Sequence, residues 1–265
     1  LGGGQQIEPV WEFAKLCLDR AATKITDLPT SFCSSPGPRC AVWPISRDSR
    51  RASLGLRPED IVIAVKTVGA FHPTRLPVAH DVWASHSTVE VLFLSNQAYD
   101  GIPEATVIDL SEEYGSKVDP AVESTKEGSG HCAKMEAILS WLQTHRPGKR
   151  WYVVVDDDTL LNVEQLVRVL DSHNSSEAFY IGERYGWAHG SDSGTNYMTT
   201  GAGMALSRPA LVALKACSHC TCRRPNSPDD MTLGSWFRSL KVRLIHEEGF
   251  HQSEPHNYHS ELLAV

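Results

Sequence analysis

Trp151-Tyr152-Val153-Val154-Val155-Asp156-Asp157-Asp158 is the stretch on which the reading of this chain turns. Its five apolar residues form a continuous run of the kind found in strands buried on both faces of a parallel sheet. The run ends in three consecutive carboxylates. Like charges held this close raise one another's pKa and resist ionisation, so a cation is expected to offset them. Ligands of open α/β sheets bind at the carboxyl ends of strands, and hard divalent cations prefer carboxylate and phosphate oxygens. A metal bridging Asp158 to a diphosphate would stabilise a leaving group as a Lewis acid. The plainer alternative is that Asp158 and Thr159 cap a following helix, for which Asp is well suited.

Working outward, Ile61-Val62-Ile63-Ala64-Val65 is a second β-branched run that reads as a buried strand. A helix is expected through Leu76 to Ser85 and a strand from Val89 to Leu94. A helix from about His131 to Thr144 carries Met135, Ile138, Leu139 and Leu142 at helical spacing. Beyond the aspartates, Asn162 to Leu170 reads as a helix, Ala178 to Ile181 as a strand and Pro209 to Ala216 as a helix. This alternation predicts an α/β fold with a mostly parallel sheet covered by helices on both sides. Ile7 to Thr23 is compatible with an amphipathic helix, and the Pro-, Ser- and Arg-rich stretch from Asp27 to Arg51 reads as irregular. Residues 1–58 are therefore expected to form an appendage to one domain at 59–265.

The composition limits the partners. At 265 residues with 41% hydrophobic content, the chain can bury one substantial core without relying on disulfides. A net charge of -7 gives no field to hold nucleic acid, which is bound through basic groups. No run of about 18 apolar residues occurs, and Leu1 to Gln6 lack the features of a signal peptide. The chain as given is thus expected to be soluble, with any membrane attachment through a segment outside it. Cys217, Cys220 and Cys222 cluster, but a structural zinc normally takes four ligands in paired spacings. Disulfides are the favoured reading of the seven cysteines, with Cys33 and Cys40 a plausible short loop. Asn174-Ser175-Ser176 is a glycosylation sequon, relevant only in a luminal protein.

Three further segments carry chemical possibilities. Pro228-Asp229-Asp230 opens an apolar segment, and its carboxylates either cap a helix or supply a base to an attacking hydroxyl. Asp230 is the candidate base, with Asp229 in support. Thr199-Thr200-Gly201-Ala202-Gly203 is a small-residue turn that would let backbone approach a ligand, or is merely a tight turn. His251 offers an imidazole able to bind a transition metal. Neither glycine-rich fingerprint of the Rossmann or P-loop enzymes is present.

In combination these segments resemble the fringe-type β1,3-glycosyltransferases, and within them the branch that adds glucose to O-linked fucose. The resemblance is carried by Ile63-Ala64-Val65-Lys66-Thr67, Phe71-His72, Arg75-Leu76, Gly130 to Lys134, Asp156 to Leu160, Gly182 to Gly186, Gly201-Ala202-Gly203, Pro228-Asp229-Asp230 and Phe250-His251-Gln252. It implies a GT-A-type fold, Mn²⁺ (or Mg²⁺) dependence, a UDP-sugar donor and inversion by single displacement. The acceptor it implies is fucose, or a similar sugar, on a glycoprotein or glycan in the ER or Golgi lumen. By the same resemblance Asp158 and His251 are metal ligands, a residue beyond Val265 being the alternative to His251. Asp230 is the base, and Lys66, Thr67, Arg75, Lys134, Asp156, Asp157, Gly201 and Gly203 serve the donor. Glu183-Arg184-Tyr185-Gly186 tilts the donor toward UDP-glucose. The alternatives are a β1,3-transferase of N-acetylglucosamine or galactose, or an inactive lectin-like or chaperone paralogue, against which both intact acidic clusters argue.

Overall fold

A computed structural model of the chain describes residues 53–118, 131–187 and 195–253. The helix expected over Ile7–Thr23, the irregular stretch after it and the Cys33–Cys40 loop lie outside the described residues. The order is β1 (Ile61–Lys66), α1 (Arg75–Val82), β2 (Glu90–Ser95), β3 (Val107–Asp109), α2 (Ser111–Tyr114), α3 (Cys132–His145), β4 (Trp151–Asp156) and α4 (Val163–Asp171). It continues with β5 (Phe179–Gly182), β6 (Arg184–Trp187), β7 (Thr195–Met198), β8 (Met204–Ser207), α5 (Arg208–Lys215), α6 (Asp229–Ser239) and β9 (Arg243–His246).

Seven strands form one sheet in the order β3-β2-β1-β4-β8-β5-β9, and β6 and β7 form a separate two-stranded ribbon. Every neighbouring pair in the large sheet is parallel except those made by β8, which runs against both β4 and β5. This is the mostly parallel, helix-flanked sheet that the alternation of apolar runs predicts. The expected elements recur with small shifts at their ends, and the sequence reading left out β3, β6, β7, β8 and β9.

The period-two geometry of a strand sends alternate side chains to opposite faces. Val62, Ala64, Tyr152 and Val154 enter a layer with Ile138 and Leu142 of α3, Leu211 of α5 and Phe237 of α6. Ile61, Ile63, Val65, Trp151, Val153 and Val155 enter the other, with Leu76 of α1 and Leu166 and Leu170 of α4. All these residues are buried, which is why β1 and β4 read as unbroken apolar runs. Tying β1 to β4 in register places Lys66 opposite Asp156 at the carboxyl edge of the sheet.

Two disulfides brace the α3 side. Cys132–Cys222 joins the start of α3 to the segment before α6, and Cys217–Cys220 closes a short loop after α5. The preference for disulfides over zinc holds for these cysteines. Among the described residues the one cluster with metal-ligand separations is Cys217, His219 and Cys220, and the Cys217–Cys220 bond removes both thiolates.

Candidate active site

The aspartates of β4 and α6 meet around one buried ammonium. Lys66 Nζ donates to Asp229 Oδ2 at 2.7 Å and lies 3.0 Å from Asp156 Oδ1. Lys66 and Asp229 are both buried. Burial opposes the lysine's charge, but Asp156 and Asp229 outweigh it and raise the ammonium well above its ordinary range. Burial likewise opposes charge on Asp229, and Lys66 overrides it, holding that carboxyl below the usual range. Asp229 Oδ1 also accepts from Thr200 Oγ1 at 3.3 Å and from Asp230 N at 3.0 Å.

Asp157 is buried too. It accepts from Thr67 Oγ1 at 2.8 Å and from Arg75 Nη1 at 2.8 Å, and the same Arg75 nitrogen reaches Asp158 Oδ2 at 3.0 Å. The guanidinium lies 3.9 Å over the Phe71 ring, which fixes its approach. Lys134 is fully buried, and its ammonium donates to the carbonyl of Thr67. Of the three expected donor-side cations, Lys66 and Lys134 therefore hold protein groups in place, and Arg75 is the part-exposed one, at 25%.

Two of the five carboxylates have a different character. The Asp158 side chain is 49% exposed, and its pKa is raised by partial burial and then by Asp156, with Arg75 opposing. Asp230 is half-buried, raised by burial and by Asp229, while its bond from Met231 N, 2.6 Å from Oδ1, acts the other way. Neither is simply a helix cap. The cap of α4 is Asn162, whose Oδ1 accepts from Gln165 N at 3.0 Å, and the cap position of α6 is Pro228. Asp230 does take part in the first turn of α6 through that Met231 bond, so the capping reading is partly right for it.

The Thr200–Gly203 turn closes against the aspartates. Thr159 Oγ1 donates to Gly201 O at 3.1 Å and accepts from Asp156 N at 3.1 Å, a double tether that the sequence reading missed. Gly203 has φ +83, and a Cβ there would stand 3.0 Å from Val155 Cγ1, so glycine is required by both conformation and space. A Cβ at Gly201 would strike the amide end of Gln252. These glycines thus serve close packing of the Phe250–Gln252 segment, whose Gln252 N is held by Glu183 Oε2 at 2.5 Å. His251 sits on that segment, its imidazole kept toward the neutral form by burial, against Glu183. Among the described residues Asp158 and His251 do not fall in a converging three-ligand cluster.

The donor set at Asp158 suits a hard divalent cation. One accessible carboxylate, crowded by two others, can hold such an ion when phosphate oxygens complete its shell. A neutral imidazole is also the ligating form.

Residues 56–262 match the family model described as Fringe-like. The chain belongs to that family. It is 34% identical over 264 residues to the β-1,3-glucosyltransferase of Mus musculus and 33% identical over 266 residues to that of Homo sapiens. Each match covers 99% of this chain and 46% of the relative. The β-1,3-N-acetylglucosaminyltransferase lunatic fringe of Xenopus laevis is 26% identical over 239 residues, covering 80% of this chain and 61% of that protein. The chain spans about half the length of the glucosyltransferase relatives it matches. Within this fringe-like family chain, no helix of the described residues is long and apolar enough to cross a membrane.

Proposed function

We propose that the chain is the catalytic domain of an inverting, metal-dependent β1,3-glycosyltransferase. In this reading it moves a hexose, glucose by preference, from a UDP-sugar to an O-linked fucose or similar sugar on a glycoprotein. The observation that carries the reading is the division among five carboxylates. Asp156, Asp157 and Asp229 are held by Lys66, Thr67, Arg75 and Thr200, whereas Asp158, which shares Arg75, is half-exposed and Asp230, which accepts from Met231 N, is half-buried. A single displacement needs these two tasks and no covalent carboxylate. One group assists the departing diphosphate, and the other accepts the proton of the incoming hydroxyl.

Asp158, with His251 as the second candidate ligand, would hold Mn²⁺ or Mg²⁺. When bound, that ion supplies Lewis-acid stabilisation of the UDP leaving group. Arg75, braced by Asp157 and Phe71, brings a positive charge to the same edge. Asp230 takes the acceptor proton, and its raised pKa makes it a stronger base than its depressed neighbour Asp229. Lys66 keeps Asp229 ionised and seated, which fixes the first turn of α6 and so the position of Asp230. The greater identity to the glucosyltransferases than to the fringe protein supports UDP-glucose over UDP-N-acetylglucosamine. Two disulfides support an oxidising compartment such as the ER or Golgi lumen, and the exposed Asn174 of the sequon is consistent with it.

The test uses Asp230→Asn with a panel of UDP-sugars and Mn²⁺. Asn keeps the bond from Met231 N and deletes basicity, so turnover should fall by about 10² to 10⁴ while UDP affinity stays near that of the wild type. Turnover close to the wild-type value would remove Asp230 from the role of base, and a wild-type protein that neither hydrolyses nor transfers from any UDP-sugar would refute the reading.

A further inference from the structure

Asp230 and Gly234 lie one turn apart on the same face of α6. A Cβ at Gly234 would come within 2.5 Å of Asn196 O and 2.5 Å of Tyr197 Cβ, so the backbone of β7 rests directly on this helix. That contact puts Tyr197 beside Asp230. Its phenol is pushed above the ordinary range by burial first and by the Asp230 carboxylate next. Across the ribbon Tyr185 of β6 is the register partner of Tyr197. Cross-strand partners share one face of a ribbon, and the two rings stand 6.4 Å apart at an interplanar angle of 39°. Tyr185 is 38% exposed and Tyr197 half-buried. The scaffold of carboxylates is held by Lys66, Thr67, Arg75 and Thr200 without either ring, so the open aromatic pair is not needed for it.

A single displacement requires the acceptor hydroxyl within hydrogen-bond reach of Asp230. A pyranose so placed must also lie against whatever adjoins Asp230, and on this side that is the ribbon. Sugars are amphipathic, with C–H bonds gathered on one face of the ring and hydroxyls at its rim. An aromatic surface takes the first and leaves the second free. In a galacto-configured hexose H3, H4 and H5 fall on one face, and a 6-deoxy sugar extends that face with its methyl group. Stacked this way, the equatorial O3 lies in the plane of the sugar ring and points to the rim, where a carboxylate beside the platform can take its proton.

We infer that Tyr185 and Tyr197 form the acceptor subsite, a platform for the apolar face of the acceptor pyranose, whose attacking hydroxyl is presented to Asp230. The inference rests on the reaction proposed above and extends it to the residues that choose the acceptor.

The experiment compares Tyr185→Ala and Tyr185→Phe in initial-rate assays of hexose transfer to a synthetic peptide bearing one O-linked α-fucose. Thermal midpoint and calorimetric UDP affinity are measured on the same samples, because Tyr185 is exposed and its loss should leave the fold intact. Tyr185→Ala is expected to raise the acceptor KM by between about three- and tenfold, the scale of one aromatic contact, with UDP affinity unmoved. Tyr185→Phe keeps the ring and should stay near the wild-type KM. An acceptor KM unchanged in the Ala variant, or raised equally in both, overturns the subsite while leaving the reaction standing. A wild-type protein that transfers no hexose overturns the reaction, and the subsite falls with it.

Discussion

Replacing Lys66 by Met removes a buried cation that joins Asp156 at the end of β4 to Asp229 of α6. The ammonium sits 2.7 Å from Asp229 and 3.0 Å from Asp156, with Lys66 and Asp229 each 9% exposed and Asp156 27% exposed, so solvent screens the group little. Breaking a buried pair by deleting one partner costs about 3–5 kcal/mol, because the other charge is left uncompensated. At roughly 2–4 °C per kcal/mol for a domain of this size, the melting midpoint should fall by about 6–20 °C. The pH dependence separates this cause from lost packing. In the wild type the depressed Asp229 contributes stability that is present above the unfolded carboxyl pKa and is lost only as pH falls through a still lower value. The raised Lys66 contributes stability that is present below its ordinary 10.5 and is lost only as pH rises beyond that range. The wild-type bridge is therefore intact across the neutral range. Without Lys66 the burial of Asp229 loses its main opposition, leaving His131 and the bond from Asp230 N, and its pKa rises, so Lys66→Met should regain stability on going from pH 8 to pH 5 while the wild type does not. Calorimetric midpoints at both pH values make the test. A variant within about 2 °C of the wild type at pH 7, with a parallel pH profile, would refute the claim that this lysine compensates the site.

Asp158→Ala should abolish the Mn²⁺-dependent part of UDP affinity in titration calorimetry while moving the thermal midpoint little, because its pair with Arg75 is half-exposed and such pairs contribute about 1 kcal/mol or less. Equal UDP affinity with and without Mn²⁺ in the wild type would count against the metal assignment itself. Gly203→Ala should destabilise by about 1–3 kcal/mol from its left-handed conformation, with the 3.0 Å approach to Val155 adding to that, and denaturant unfolding would read the loss.

The central strands and both acidic clusters were legible because each announces itself locally. β1 and β4 are buried on both faces, so burial wrote them as unbroken apolar runs. The aspartates stand where those runs stop, and their crowding alone called for a cation. What the local pattern could not show is that the first cation is Lys66 of the protein, since the pairing depends on strand register between residues 66 and 156 and on a helix that starts at 229. Lys66 and Lys134 looked like partners for a diphosphate because a lysine's charge is visible in sequence and its burial is not. β8 was missed because four residues, Met204 to Ser207, carry too little period-two signal, and because a reversed strand between β4 and β5 breaks the alternation that a parallel sheet leads one to expect. β9 escaped for a related reason, its residues being at most half-buried. The pairing Cys132–Cys222 joins residues 90 apart, and connectivity of that kind is not encoded in spacing. Tyr185 was noted only within the Glu183–Gly186 segment and Tyr197 not at all, because nothing local says that a ribbon will rest on the helix that carries Asp230.

On the proposed reading, the placement of the two open carboxylates separates the groups that would carry the chemistry from those that would contact the acceptor. Asp158 follows the end of a strand that lies inside the sheet, and Asp230 lies in the first turn of a helix pinned through Asp229 to the neighbouring strand. Both are therefore referred to β1 and β4, whose apolar residues are all buried, and a site built on such rigid elements holds its geometry better than one built on loops. The disulfide Cys132–Cys222 extends this from the helix side. With Cys132 N and Ala133 N bonded to the carbonyls of Ser227 and Pro225, it ties the approach to α6 to α3, which also carries Lys134 to the end of β1. By contrast the β6–β7 ribbon stands outside the seven-stranded sheet and meets the site mainly where Gly234 lets β7 rest on α6. A substitution in the ribbon alters what is stacked against Asp230 without moving Asp230 itself. If the proposed roles hold, changes in β6 and β7 alter acceptor preference alone, whereas changes at Lys66, Thr67, Thr159 or Gly203 disturb Asp158 and Asp230 together.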